Sequence, residues 1–302
     1  MIYWLAFGIL IIFLLALDLM VFHKRAHQVK TKEAIVMTTF WIVVALMFNG
    51  WVWFQFGGER ATTFFTSFII EKALSVDNLF VFIIVFRYFA VKSEYQHRIL
   101  FWGVLGAIVF RLIFIMAGVE LIERFHWVLY LLSLFLFYVG GNLLLGKDTE
   151  VHPENNWVLN LFRHYVRTTT EIDRPCFLVR QNGLLYATPL LLVLVAIETT
   201  DIMFAIDSVP AILAITTDRF IVFTSNIFAI LGLRSVYFLL VGMVGVFHFL
   251  KYGLGLILIF VGIKMIVEGS LIGKVPCGLS LIVIAIILTT SVLASVIFPR
   301  KE

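Results

Sequence analysis

Apolar runs of about 20 residues recur along most of this chain and limit the folds open to it more than any other feature. A helix of that length matches the thickness of the hydrocarbon core of a bilayer. Charged residues make up only 14% of the chain, whereas a soluble domain carries roughly 25%. The runs are too long and too uniform for an outer-membrane barrel, whose strands alternate in short segments. The sequence therefore predicts an all-α polytopic protein of the bacterial inner membrane.

We predict nine transmembrane helices. They cover residues 2–22, 34–56, 64–90, 99–119, 127–146, 185–215, 220–243, 249–268 and 277–298. The sixth is long and contains Pro189 and Pro210, so we expect that it could begin with an interfacial turn and break near Pro210. The first lacks a basic leader and an Ala-x-Ala-like cleavage site, which indicates a retained span.

The loop charges predict the orientation. With the N-terminus outside, the inner loops hold fifteen of the 23 Lys and Arg residues and the outer loops hold four. This asymmetry follows the positive-inside rule and predicts an N-out, C-in protein. The one long polar loop, residues 147–184, is then cytoplasmic. We interpret it as a linker between two halves, although its aromatic residues also allow a short surface helix.

Two segments align without a gap and indicate an internal repeat. Glu71-Lys-Ala-Leu-Ser-Val-Asp77-Asn matches Asp201-Ile-Met-Phe-Ala-Ile-Asp207-Ser, and matching His, Tyr and Val-Gly positions follow in the same order. The repeated unit has three helices (3–5 and 6–8), so the two copies enter the membrane from opposite sides, as in many secondary transporters. The predicted units are 1–63 (peripheral helices), 64–146 (first repeat), 147–184 (cytoplasmic loop), 185–269 (second repeat) and 270–302 (helix 9 and tail).

Five acidic residues lie well inside predicted helices 3 and 6. They are Glu71, Asp77, Glu198, Asp201 and Asp207. Each ionised group costs about 3 kcal/mol at the centre of a spanning helix, so such residues are usually functional. Basic residues within the spans could neutralise some of them, namely Lys72, Arg111 and Arg234. The remaining excess of acid favours a site for protons or a cation.

The predicted inversion also predicts how the acids group. Six residues of helix rise about 9 Å, so Glu71 and Asp77 cannot both hold one ion on a straight helix. Antiparallel copies would set Glu71 level with Asp207 and Asp77 level with Asp201, giving two stacked layers. One compact site would form instead if the helices unwind. Glu198 would lie one turn further towards the cytoplasm.

Neutral oxygen ligands follow the second acid of each motif, at Asn78 and Ser208. Carboxylate, amide and hydroxyl oxygens suit hard divalent ions such as Mg²⁺, Mn²⁺ and Ca²⁺. Arg111 and Arg234 could hold the empty site together and yield when the ion enters; normal transport by an Arg234→Gln variant would contradict this role. His126 and His248 are weaker candidates for ion access or pH sensing, because helix ends at the interface often carry His.

No enzyme or resident cofactor is predicted. The sequence has no H-E-x-x-H, no G-x-S-x-G and no P-loop. Cys176 and Cys277 lie far apart, which argues against a disulfide framework or a thiolate metal site. We expect a divalent metal ion and the lipid bilayer as partners, and no nucleic acid. The oligomeric state is left open.

Long blocks of the chain resemble the TerC family. They are Glu71-Lys-Ala-Leu-Ser-Val-Asp77-Asn-Leu-Phe-Val-Phe, Glu198-x2-Asp201-x5-Asp207-Ser-Val-Pro210, Asn182-Gly-Leu-Leu-Tyr-Ala-Thr-Pro189, Thr224-Ser-Asn-Ile-Phe-Ala-Ile-Leu-Gly-Leu-Arg234 and Leu250-Lys-Tyr-Gly-Leu. The similarity covers nearly the whole chain and is greatest to the Alx-like members. It implies a manganese exporter, and it maps the family's acidic residues onto the five acids named above.

The leading interpretation is thus an exporter of Mn²⁺, driven by exchange of protons or another ion. A membrane scaffold or insertion factor is a second hypothesis, and it predicts that the acids tolerate amide substitution. A tellurium-resistance factor is a third. Direct tellurite transport fits poorly, since an oxyanion requires a cationic centre and this one is acidic.

Overall fold

The computed structural model describes residues 2–22, 31–125, 127–145, 166, 169, 176–181, 184–241, 249–269 and 276–298. Within these residues the chain forms ten α-helices and one two-stranded hairpin. The helices are α1 (Ile2–Phe22), α2 (Thr31–Phe56), α3 (Gly58–Tyr88), α4 (Ser93–Arg124), α5 (Val128–Leu144), α6 (Pro189–Leu213), α7 (Arg219–Ile230), α8 (Leu233–Val241), α9 (Leu250–Gly269) and α10 (Cys277–Ile297), and the strands are β1 (Leu178–Gln181) and β2 (Leu184–Ala187).

Six segments of the described chain are long and apolar enough to cross a bilayer: α2, α4, α6, the α7–α8 pair, α9 and α10. The helices α1 and α5 contribute shorter apolar stretches. The helix α3 is not among the six, and three charged residues, Glu71, Lys72 and Asp77, interrupt its apolar stretch. The outward faces of the bundle are apolar, as a lipid environment requires; Phe54 is 94% exposed and Ile282 is 60% exposed. The predicted class of helical membrane protein is confirmed.

The predicted start of the sixth helix, at residue 185, is wrong. Residues 184–187 pair with 178–181 in an antiparallel hairpin, and the helix begins only at Pro189. Proline is favoured in the first helical turn because its missing N–H has no intrahelical partner there. The Thr188 hydroxyl donates to the carbonyl of Cys176 at 2.7 Å and ties the hairpin to the helix. Pro210 does not break α6, which continues to Leu213. Most of the predicted loop 147–184 lies outside the described residues.

The seventh predicted helix, 220–243, is two helices. The helix α7 ends before Leu231, and Gly232 adopts φ +81°. This left-handed conformation ends helices and favours glycine, which has no Cβ to clash. A Cβ on Gly232 would also lie 2.7 Å from the Trp41 side chain of α2. The chain then becomes helical again in α8, which begins at Leu233, one residue before Arg234.

The helices α3 and α6 occupy the centre of the bundle. They contact each other; α3 also packs on α2, α7 and α8, and α6 packs on α4. The helices α5 and α9 pack closely because glycines meet at their contact, where a Cβ on Gly140 would lie 2.7 Å from the carbonyl oxygen of Gly255. Buried apolar clusters surround the central helices. The polar residues among them form the candidate site.

Candidate cation site

The guanidinium of Arg111 lies at the centre of a buried polar cluster. Arg111 stands midway along α4 and is fully buried. Its Nη1 donates to Glu71 of α3 and, at 3.1 Å, to the Ser208 hydroxyl of α6. The same nitrogen lies 3.5 Å from Oδ1 of Asn226 of α7, and Nη2 lies 3.8 Å from Oδ1 of Asp201 of α6. One guanidinium on α4 thus contacts side chains from three other helices.

The carboxylates around Arg111 are only half satisfied. Oε2 of Glu71 and Oδ2 of Asp201 are buried and have no hydrogen-bond partner among the described residues. The same holds for Nδ2 of Asn226 and Nε of Arg111. A buried polar atom without a partner is costly and rare, and it often marks a place where an ion or water binds. The cluster therefore offers oxygen atoms of two carboxylates to a further positive charge.

The grouping of the acids differs from the predicted layers. Glu71 and Asp201 occupy matching positions of the two motifs, and the prediction set them in different layers about 9 Å apart. The structure instead brings both to the same guanidinium, while α3 and α6 run without unwinding past Glu71 and Asp201. The predicted layers assume two straight, antiparallel helices. Direct contact between α3 and α6, together with Arg111 inserted from α4, brings the first acid of each motif to one guanidinium.

Glu198 lies one turn before Asp201 on α6 and faces α4. Its carboxylate lies directly against Gly106, where even a single Cβ would overlap it. Oε2 of Glu198 is buried and has no hydrogen-bond partner among the described residues. Three acids, Glu71, Glu198 and Asp201, thus lie on the central helices α3 and α6, and two of them, Glu71 and Asp201, pair with Arg111. Their formal charges exceed that of Arg111, which favours binding of a cation or of protons.

Asn226 belongs to the cluster and was missed by sequence reasoning. It lies within Thr224-Ser-Asn on α7, three polar residues that are all fully buried. Such a polar triplet inside an apolar run was the available signal, because helices bury polar side chains only where partners exist. Of the two predicted neutral ligands, Ser208 contacts Arg111, and Asn78 is buried on α3.

The other predicted counter-charges lie apart from the Arg111 contacts. The Lys72 ammonium donates to the carbonyls of Ala229 at 3.1 Å and Leu231 at 3.4 Å, at the C-terminal end of α7, where a positive charge complements the helix dipole. Arg234 pairs with Asp18 of α1. From the sequence alone, Asp18 is predicted to cap its helix or to pair with Lys24 or Arg25. Those two basic residues lie outside the described residues, and the structure pairs Asp18 with Arg234 instead.

Four predicted site residues cannot be placed in full. His126 and His248 lie outside the described residues. Asp77 and Asp207 lie on α3 and α6, but their side chains are outside the part of the chain that the structure describes. Among the described side chains, no group of three or more His, Cys, Asp or Glu residues is close enough to hold a metal ion. The described centre is therefore a carboxylate–guanidinium cluster.

Comparison with known proteins places this chain in a family. Residues 56–302 match the model of the integral membrane protein TerC family. An uncharacterised membrane protein of Myxococcus xanthus is 48% identical over 98% of this chain and 92% of its own. Alx of Escherichia coli, whose name describes a proposed membrane-bound redox modulator, is 44% identical over 87% of this chain and 85% of its own. An uncharacterised membrane protein of Rickettsia felis is 40% identical over 97% of each chain. No solved structure matches significantly. The family match covers well over half of the chain, and the chain belongs to the TerC family of integral membrane proteins.

Proposed function

We propose that this protein is a secondary transporter that exports a divalent cation, with Mn²⁺ as the leading substrate, across the bacterial inner membrane. One observation carries the proposal: the buried Arg111 guanidinium lies between carboxylates that each keep an oxygen without a described partner. An ion pair so arranged holds an empty site together. A divalent cation could take over the charge compensation when it binds.

The chemistry of the donors favours a hard ion. Glu71, Asp201, Ser208 and Asn226 supply carboxylate, hydroxyl and amide oxygens within one cluster. Such ligands suit Mg²⁺, Mn²⁺ and Ca²⁺ better than soft ions. The choice of Mn²⁺ rests on the resemblance to Alx-like members of the family. We further propose that transport involves neither a catalytic step nor a resident cofactor.

We propose an inverted repeat of α3–α5 and α6–α9 as the architecture, within nine spans that run from an outer N-terminus to an inner C-terminus. The packing supports it, because α3 contacts its counterpart α6, and α5 contacts its counterpart α9. The contact of α4 with α6 likewise has a counterpart in that of α7 and α8 with α3. Two copies related in this way offer equivalent access from either side of the membrane.

Exchange of protons for the metal is the proposed source of energy. Metal binding requires ionised carboxylates, so binding releases any protons that those groups carry. Protons that return from the outside would then displace the metal. In this order of steps, uptake of protons accompanies release of the metal ion.

The decisive test is metal flux in proteoliposomes that contain the purified chain. Mn²⁺, Mg²⁺, Ca²⁺ and Zn²⁺ are supplied in turn, with a metal-sensitive dye or a pH-sensitive dye inside. We expect Mn²⁺ to cross with an opposed pH change and Zn²⁺ to cross poorly. A chain that moves none of these ions would overturn the proposal, and Mn²⁺ flux without any pH change would overturn the proton exchange alone.

The name of the Alx relatives favours a second candidate, a role in redox balance. A dithiol mechanism would need both Cys176 and Cys277, the only cysteines in the chain. Replacing both with serine separates the two functions. Metal export would persist in the double variant, whereas a thiol-based redox role would be lost.

A further inference from the structure

A second buried ion pair joins α1 to the middle of the bundle. Arg234 of α8 donates to Asp18 of α1, and the two side chains are 6% and 14% exposed. The guanidinium also lies 5.5 Å from the ring centre of Phe101 on α4, within cation–π range. Removing one partner of a buried pair leaves the other charge poorly compensated, so this contact fixes the position of Arg234.

The two buried arginines have matching places in the repeat but different partners. Arg111 stands in the middle helix of the first copy and binds the motif acids Glu71 and Asp201. Arg234 stands in the corresponding segment of the second copy and binds an acid from outside both copies. Asp18 also lies outside residues 56–302, the part of the chain that matches the family model. A helix external to the repeat therefore supplies one of the counter-charges of Arg234.

Arg234 lies on a helix, α8, that contacts the motif helix α3. It follows the helix break at Gly232 by two residues and Asn226 by eight. The carbonyl of Leu231, at the same break, accepts from Lys72, the neighbour of Glu71. The start of α8 thus lies beside the motif on α3, and the excess of acid there attracts a nearby guanidinium.

We propose that Asp18 is a positioning residue of the transport site: it holds the Arg234 guanidinium towards α1, so that Arg234 does not compete with the metal for the motif carboxylates. This inference rests on the proposed function. It explains why the cluster around Arg111 contains one arginine although the repeat provides two. It also gives α1 a role in transport that the matched family region does not include.

The experiment measures Mn²⁺ flux by Asp18→Asn in proteoliposomes. Release of Arg234 should raise the half-saturating Mn²⁺ concentration about tenfold while the maximal rate changes little, the pattern of weakened binding. The added substitution Arg234→Gln removes the competing charge, so the double variant should return to the value of Arg234→Gln alone. Glu59→Gln, which removes an exposed acid at the start of α3, serves as the control and should leave the half-saturating concentration unchanged.

Two outcomes would overturn the inference. One is an unchanged half-saturating concentration in Asp18→Asn; the other is a rise that persists in the double variant. If Asp18→Asn fails to accumulate, the stabilities of Arg234→Gln and of the double variant are compared by thermal unfolding in detergent. The comparison tests whether Asp18 acts through Arg234. Equal stability of the two variants shows that Asp18 acts through Arg234. A further loss of stability in the double variant excludes the inference. Absence of Mn²⁺ flux in the unmodified chain would overturn the proposed function. The same unfolding comparison would then still test whether Asp18 acts through Arg234.

Discussion

Glu71 and Asp201 lie on different helices, at matching positions of two copies of one motif, and share the guanidinium of Arg111. Each carboxylate keeps one buried oxygen without a hydrogen-bond partner among the described residues. A buried pair that is satisfied only in part is expensive to maintain for stability alone. The arrangement is better understood as the resting state of a site that admits another cation.

The first prediction concerns Arg111. In Arg111→Gln the two acids face each other without their shared positive charge, so we expect the free energy of unfolding to fall by about 3 kcal/mol. Added Mn²⁺ should restore part of that loss, because the ion supplies the missing charge. Thermal unfolding in detergent, with and without Mn²⁺, measures both effects. The unmodified chain serves as the reference, and equal stabilisation of both proteins by Mn²⁺ would contradict the substitution of metal for guanidinium.

The second prediction separates transport from a scaffold role. Asp77→Asn and Asp207→Asn keep the size of each side chain and remove its charge, so the protein should still insert and accumulate. We expect metal export to be lost in both, since each motif contributes an acid to the site. Efflux of Mn²⁺ from cells, normalised to the amount of protein in the membrane, measures this. Export at the normal rate from both variants would favour the scaffold hypothesis.

The sequence predicted the chemistry of the site better than its geometry. Buried acids such as Glu71 and Asp201 stand out because charged residues are rare in apolar runs. Their shared contact with Arg111 could not be foreseen, since it depends on how three helices meet. Asn226 was missed because its polar triplet with Thr224 and Ser225 carries no charge and has no periodic signature. These failures concern contacts between elements, whereas the long apolar helices follow from local composition.

The partner of Asp18 shows the same limit. Lys24 and Arg25 are its nearest cations in sequence, and a local pair was the simpler expectation. The structure pairs it with Arg234, 216 residues away. The break at Gly232 was also missed, because a single glycine within an apolar run does not distinguish a kink from close packing. In the structure, the positive φ of Gly232 shows that it ends a helix, and its contact with Trp41 shows that it also permits close packing.

The third prediction concerns Gly106. Alanine normally favours a helix over glycine by about 1 kcal/mol, but at this position its Cβ would overlap the carboxylate of Glu198. Gly106→Ala should therefore displace Glu198 and lower the rate of metal transport severalfold. Gly141→Ala is the matched control, because nothing lies within 4 Å of a Cβ there. Flux assays on both proteins test the expectation, and equal rates would mean that the position of Glu198 is unimportant for transport.

The fourth prediction concerns Gly232, where conformation and packing both exclude a side chain. A non-glycine residue at φ +81° costs about 1–2 kcal/mol, and overlap with Trp41 at 2.7 Å adds to that cost. Gly232→Ala should thus lower the free energy of unfolding by about 2–4 kcal/mol. Gly50→Ala, at an open helical position, should leave stability unchanged or raise it slightly. Thermal unfolding in detergent compares the two. Equal stability of Gly232→Ala and Gly50→Ala would contradict the expectation.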